Sequence, residues 1–255
     1  MSEDASTQST DRRHIALEGA VNFRDLGGYP TADGRRVKWR SVFRADGLHK
    51  LTPADLAVLT ELQIAAVLDL RTTGEVDEAR FPVDAVPVVF HHLPFLDQLP
   101  DPDHFKMAPG MLGAQYHDMT RDAAPQIARA IEVIAEAGPG GLVFHCAAGK
   151  DRTGVLAAVL LSLLGVRDED VVADYALSGQ AMDALRRQLI DRYPKARATI
   201  EAADEMFSAD PANIAGLLTG LRDQHGSIEA YIQSIGVTEA TVARLRQRLL
   251  ERPSA

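Results

Sequence analysis

The chain has 255 residues, 46% of them apolar, and a formal net charge of −9. That length suffices for one large domain with a well-buried core, while the acidic balance argues against general affinity for nucleic acid or anionic membranes, which favour basic surfaces. No apolar run approaches the roughly 20 residues that span a bilayer, and the single cysteine, Cys146, excludes both an intramolecular disulfide and a zinc site built of several thiolates.

Residues 1–13 are polar and have no apolar signal core, which predicts a disordered tail ahead of one folded unit over 14–255. The same feature gives no sign of conventional export, so a cytoplasmic protein, or one exported by a non-standard route, is expected. Val42-Phe43-Arg44 is extended in pattern. Thr52-Pro53-Ala54-Asp55 starts a helix, with Thr52 as cap, proline at the first helical position and an acid in the first turn. The apolar runs 64–70 and 86–91 are expected as strands, and 94–104, rich in Pro and Asp, as a loop. Residues 123–137 repeat apolar side chains at helical spacing and stop at Gly138-Pro139-Gly140. A strand over 141–144 and a helix over 155–164, buried on all sides, come next. Past Asp174 the pattern is wholly helical: 181–203 with a break at Pro194, then 212–225, 227–235 and 238–251. Strands alternating with helices define an α/β fold, with a central, mostly parallel sheet flanked by helices and a helical C-terminal third. Ligands of such sheets bind at the carboxyl ends of the strands, where Cys146, Asp69 and the 91–97 loop all fall.

The densest chemistry lies in His145-Cys146-Ala147-Ala148-Gly149-Lys150-Asp151-Arg152-Thr153-Gly154. Strand, tight loop and helix follow one another here. The amides of Ala147, Ala148, Gly149 and Lys150 can turn inward with those of the helix's first turn, making a nest for an anion at the positive end of the helix dipole. A cysteine beneath such a nest favours the nucleophilic thiolate. Arg152 offers a planar fork for two phosphate oxygens. Four more arginines, Arg24, Arg40, Arg44 and Arg71, stand near the carboxyl ends or in upstream segments, and some of them are expected to line the pocket.

The loop resembles the signature of the cysteine-dependent protein tyrosine phosphatase superfamily, H-C-x-x-G-x-x-R-[ST]. Its Lys-Asp interior is similar to that of bacterial tyrosine phosphatases with lipid-phosphatase-like loops. Asn22-Phe23-Arg24-Asp25-Leu26-Gly27-Gly28-Tyr29, Phe43-Arg44-Ala45-Asp46 and Leu68-Asp69-Leu70-Arg71 extend the likeness into the amino-terminal half. The resemblance implies a tyrosine-phosphatase-like fold in which helices over 178–215 form a lid and those over 216–255 pack on the same domain. It implies hydrolysis of phosphotyrosine, with phosphoserine, phosphothreonine and phosphoinositides as further candidates because Lys150 adds charge beside the loop glycine. Inorganic phosphate is the product, and neither cofactor nor metal is required.

In that reading Cys146 attacks phosphorus, and Arg152 with the loop amides stabilises the equatorial oxygens. Thr153 hydrogen-bonds the sulfur, His145 orders the loop, and Arg44 and Arg71 bind phosphate. The leaving oxygen needs a general acid. Eukaryotic-type tyrosine phosphatases carry a Trp-Pro-Asp loop, but Trp39 is followed by Arg40, so that motif is missing. The resemblance favours Asp151 and Asp69, with Asp97 and Asp118 as outsiders; any of these can instead orient an arginine. The lone cysteine leaves no partner thiol for an arsenate-reductase-type reaction or a backup disulfide. Three alternatives compete with this reading. A sulfurtransferase loop is usually shorter and has no use for Asp151-Arg152-Thr153. A helix-turn-helix over 227–251, with Arg244, Arg248 and Arg252 on one face, would suit DNA. A non-catalytic phosphate-binding module would not need both Cys146 and Arg152.

Overall fold

A computed structural model of the protein describes residues 12–99 and 110–252. Its element order is β1 (Arg24–Asp25), β2 (Arg36–Val37), β3 (Val42–Ala45), α1 (Pro53–Glu61), β4 (Ile64–Asp69), α2 (Thr73–Glu78), β5 (Val89–His92), α3 (Met111–Asp122) and α4 (Ala124–Glu136). Next come β6 (Gly141–His145), α5 (Asp151–Leu163), α6 (Asp168–Ala176) and α7 (Gly179–Arg192). The chain finishes with α8 (Arg197–Glu201), α9 (Asp204–Phe207), α10 (Pro211–His225), α11 (Ile228–Ser234), α12 (Glu239–Leu249) and β7 (Leu250–Glu251).

The central sheet runs β1-β3-β6-β4-β5. Its inner pairs are parallel, and only the β1–β3 pair is antiparallel. Successive strand side chains point to opposite faces, so a sheet covered on both sides needs apolar residues at every position. Strand β6 meets that need: Leu142 and Phe144 enter one core, Val143 the other. Leu68 and Val67 of β4 divide in the same way. The larger core lies under α3–α5 and α10–α12, and the smaller one gathers Phe23, Phe43, Leu59 and Phe81. Almost every side chain of α5 is buried, as its unbroken apolar run predicts.

Local signals account for the helix ends. Thr52 accepts from the N–H of Asp55 while the Asp55 carboxylate accepts from that of Thr52, with Pro53 at the first helical position. Pro194 ends α7 at Arg192 and starts a separate short turn. Several expectations need correction. The strand expected over 86–91 begins only at Val89, because a 3-10 turn occupies Val83–Ala85 and Pro87 has no N–H for a ladder. The last helix stops at Leu249; Leu250 and Glu251 extend and pair with Val37 and Arg36, so the C-terminal third is not wholly helical. Helices α2, α3 and α6 were not expected. The final two residues of the expected tail are packed, Arg13 lying 3.7 Å over the Tyr29 ring and Arg12 4.5 Å over Trp39. Residues 1–11, and 100–104 of the expected 94–104 loop, lie outside the described residues. No helix among the described residues is long and apolar enough to cross a membrane.

Candidate active site

Strand β6 delivers Cys146 to the carboxyl edge of the sheet, 2% exposed, and α5 starts five residues later at Asp151. The chain can turn that tightly because Gly149 adopts φ +67°, and a Cβ there would lie 2.6 Å from the Ala45 carbonyl. The amides of Ala147, Ala148, Gly149 and Lys150 donate to no acceptor among the described residues. Beside the amino end of α5, unpaired amides of this kind suit an anion.

Arg152 lies in the first turn of α5. Its Nη1 and Nη2 donate to Glu75 at 2.6 and 3.1 Å. Burial opposes the charge of Arg152, but Cys146 and Glu75 outweigh it and hold the guanidinium above its usual pKa range. Glu75 is itself fixed by a capping box, Thr72 Oγ1 accepting from its N–H and its Oε2 from that of Thr72. Sequence reading missed Glu75, although Thr72-Thr73-Gly74-Glu75 has the spacing of such a box.

The other expected residues divide clearly. Asp69 is fully buried, and its carboxylate accepts from Arg71 Nε and Nη2, the latter at 2.6 Å. Burial works against its ionisation, yet His145 and Arg71 hold it below the usual carboxylate range. In the structure this carboxylate is the partner of Arg71. Arg71 also reaches the carbonyl of Ala79 at 2.9 Å. Arg44 is fully buried behind the loop, bonded to Asp174 at 2.6 Å and to the Gly149 carbonyl at 2.7 Å. Arg24 joins the same cluster through Asp174 and Ser178, while Arg40 lies exposed near the start of β3, at the other end of the sheet.

His145 is buried, its Nδ1 3.2 Å from the Cys146 carbonyl, and burial pushes its pKa down to about 4, so it is neutral at pH 7. Thr153 is buried, but its hydroxyl has no partner among the described residues; the expected bond to sulfur is not made. Lys150 is 1% exposed, and its Nζ donates to the carbonyls of Met206 and Ser208 at 2.6 and 2.8 Å. The lysine expected to attract a second phosphate is thus fastened to the α9 segment, its Nζ also 3.5 Å from Asp151 Oδ1. Asp97 and Asp118 are exposed, and Asp118 pairs with Arg121.

Asp151 remains. Its side chain is 34% exposed, and Oδ1 accepts from Tyr116 Oη at 2.6 Å. Tyr116 Oη lies 2.7 Å from Tyr175 Oη, so two buried phenols on α3 and α6 orient the one carboxylate at the loop's exit. Sequence reading singled out neither tyrosine.

Helix α7 runs alongside. Leu185, Gln188, Leu189 and Arg192 line a 120 Å³ cleft with Ala147 of the loop, His49 and Lys50. A second cleft of 390 Å³, lined by Leu59, Ile64, Val86 and Pro139, lies at the opposite end of the sheet and contains none of these groups. Of the three arginines expected on one face, Arg248 bonds the carbonyls of Ala137 and Gly140, Arg244 is exposed 3.7 Å from Glu136, and Arg252 is exposed beyond α12.

A mostly parallel sheet covered by helices thus carries the Cys146–Arg152 loop at its carboxyl edge. In sequence comparison, the profile of the tyrosine phosphatase family matches residues 15–251, and the chain belongs to that family. It is 28% identical over 219 residues to a tyrosine-protein phosphatase of Nostoc commune, covering 81% of this chain and 73% of that one. Against the triple specificity protein phosphatase PtpB of Mycobacterium tuberculosis the identity is 30%, covering 92% and 98%. A putative tyrosine-protein phosphatase of Cupriavidus necator is 29% identical, over 96% and 92%. Among solved structures, P. aeruginosa TpbA aligns over 84% of this chain and 89% of its own at 14% identity, with a TM-score of 0.33, too weak a likeness to bear on the argument.

Proposed function

We propose that the protein hydrolyses phosphotyrosine through a cysteinyl-phosphate intermediate. The observation that carries the proposal is the cup of unpaired amides between β6 and α5, with Cys146 at its base and Arg152 fixed at its side. In the first step the Cys146 thiolate attacks phosphorus, the bond to the tyrosyl oxygen breaks, and that oxygen takes a proton from Asp151. In the second, water attacks phosphorus, Asp151 accepts a proton, and the thiolate leaves with release of inorganic phosphate. Charge spreading over the equatorial oxygens meets Arg152 and the loop amides. Rapid acid quench of the enzyme with labelled phosphotyrosyl peptide tests this directly: label bound to Cys146 is expected, and its absence during turnover sinks the intermediate.

Two further outcomes follow from the geometry. Asp151→Asn slows hydrolysis of substrates with poor leaving groups by about 10²-fold while leaving good ones much less affected. Equal losses across a leaving-group series would remove Asp151 from the role. Glu75→Gln frees Arg152 from its bidentate partner, and kcat/KM falls by about 10-fold to 100-fold, chiefly through KM. Unchanged steady-state constants would show that Arg152 needs no such guide.

A wider range, with phosphoserine, phosphothreonine and phosphoinositides as candidates, is part of the proposal, and one relative is named a triple specificity protein phosphatase. With Lys150 held by Met206 and Ser208, a substrate with a second phosphate gains that charge only when the 178–215 segment moves as a lid. A panel of phosphopeptides and phosphoinositides, run beside Cys146→Ser, decides the breadth.

A further inference from the structure

An anion cup requires successive peptide N–H groups to point inward, a conformation that makes no repeating hydrogen bonds of its own. In a trans peptide the carbonyl of one residue and the N–H of the next point in opposite directions. A loop carbonyl held from outside therefore turns the following amide toward the centre. Three consecutive carbonyls are held in this manner. The N–H of Gly47 donates to Ala147 O at 3.0 Å, Asn22 Nδ2 to Ala148 O at 2.9 Å, and Arg44 Nη2 to Gly149 O at 2.7 Å. All three supports come from the 22–47 stretch; Asn22 is 126 residues from its acceptor and Arg44 105 from its own.

We propose that Asn22 and Arg44 are positioning residues for phosphoryl transfer, each aiming the loop amide that follows the carbonyl it holds: Gly149 for Asn22, Lys150 for Arg44. Neither acts directly on the reacting atoms. Both are locked by a second layer. Arg24 Nη1 donates to Asn22 Oδ1, which leaves the amide nitrogen facing the loop. Arg44 Nη1 donates to Asp174 Oδ2 at 2.6 Å, and Arg24 Nε to Asp174 Oδ1 at 3.1 Å. Two guanidinium charges here share one carboxylate, all three buried. This gives the upstream Asn22-Phe23-Arg24 and Phe43-Arg44 segments a physical task in a site built far along the chain.

The inference rests on the reading of the loop as a phosphate cup, and the test separates the two. Inorganic phosphate is titrated as a protectant of Cys146 against iodoacetamide in the full chain and in Asn22→Ala, Arg44→Met and Arg44→Lys. Half-protection is expected to need about tenfold more phosphate in Asn22→Ala and Arg44→Met, the loss of one buried hydrogen bond being of that order. KM for para-nitrophenyl phosphate rises in parallel, and alkylation without phosphate stays within about threefold of wild type. Arg44→Lys, which keeps a charged donor, recovers part of the affinity. Where Arg44→Met does not fold, Asn22→Ala and Arg44→Lys decide. Wild-type half-protection and KM in Asn22→Ala and Arg44→Lys overturn the inference alone. Failure of phosphate to protect the wild type overturns the phosphate cup itself.

Discussion

Cys146→Ser lowers kcat for para-nitrophenyl phosphate by at least about 10³-fold while leaving phosphate affinity largely intact. The substitution changes one atom, and the cup's amides and the Arg152–Glu75 pair do not depend on sulfur. A serine hydroxyl, however, holds its proton at neutral pH and needs a base to become a nucleophile. The adjacent histidine in the chain is unsuitable: His145 is buried, and its Nδ1 is directed to the Cys146 carbonyl. The variant should therefore retain phosphotyrosyl ligands without turning them over. Steady-state assays with calorimetric titration of a phosphotyrosyl peptide read both halves. Full turnover in the serine variant would refute the mechanism.

Asp174→Ala is expected to be the most destabilising single change outside the apolar core. It strands two buried guanidinium groups, Arg24 and Arg44, and removing one partner of a buried pair costs about 3–5 kcal/mol. In a chain of this size that lowers Tm by about 10 °C. The pH dependence has a definite sign. Burial opposes ionisation of Asp174, but the two arginines overcome it and hold its carboxyl at about 2, down from 3.8. The unfolded chain therefore takes up this proton first as acid is added. The carboxylate's contribution is complete above about pH 4 and fades as pH falls through the folded value. Denaturation curves should show wild type and Asp174→Asn converging at low pH; a constant gap between them would mean that Asp174 is not the titrating group.

The loop was legible because everything that defines it is local. Cys146, Gly149 and Arg152 fall within seven residues, and the apolar runs on either side specify the strand and helix that hold them. The alternating faces of β4 and β6, the capping box at Thr52 and the stop at Pro194 are likewise short-range. Partner choice is not. Arg44 meets Asp174 across 130 residues, and no periodicity says which carboxylate a buried arginine finds. That is why Arg44 reads as a phosphate ligand in sequence, while the structure pairs it with Asp174. Lys150 misled for a related reason, because a side chain with four methylenes can reach the carbonyls of Met206 and Ser208. Helix α3 did have a readable stripe, Leu112, Tyr116 and Met119, but Gly113 and its polar neighbours weakened it.

The pairing of β2 with β7 has a mechanical consequence. Arg12 stacks on Trp39, Leu250 and Glu251 zip onto Val37 and Arg36, and the N–H of Lys38 donates to Leu249 O at 2.8 Å. Stretches near both extremities of the described polypeptide thus share a single clasp over residues 36–39, across the sheet from the cysteine loop. Fraying at either extremity is opposed by the same short segment, and loosening that segment releases both together.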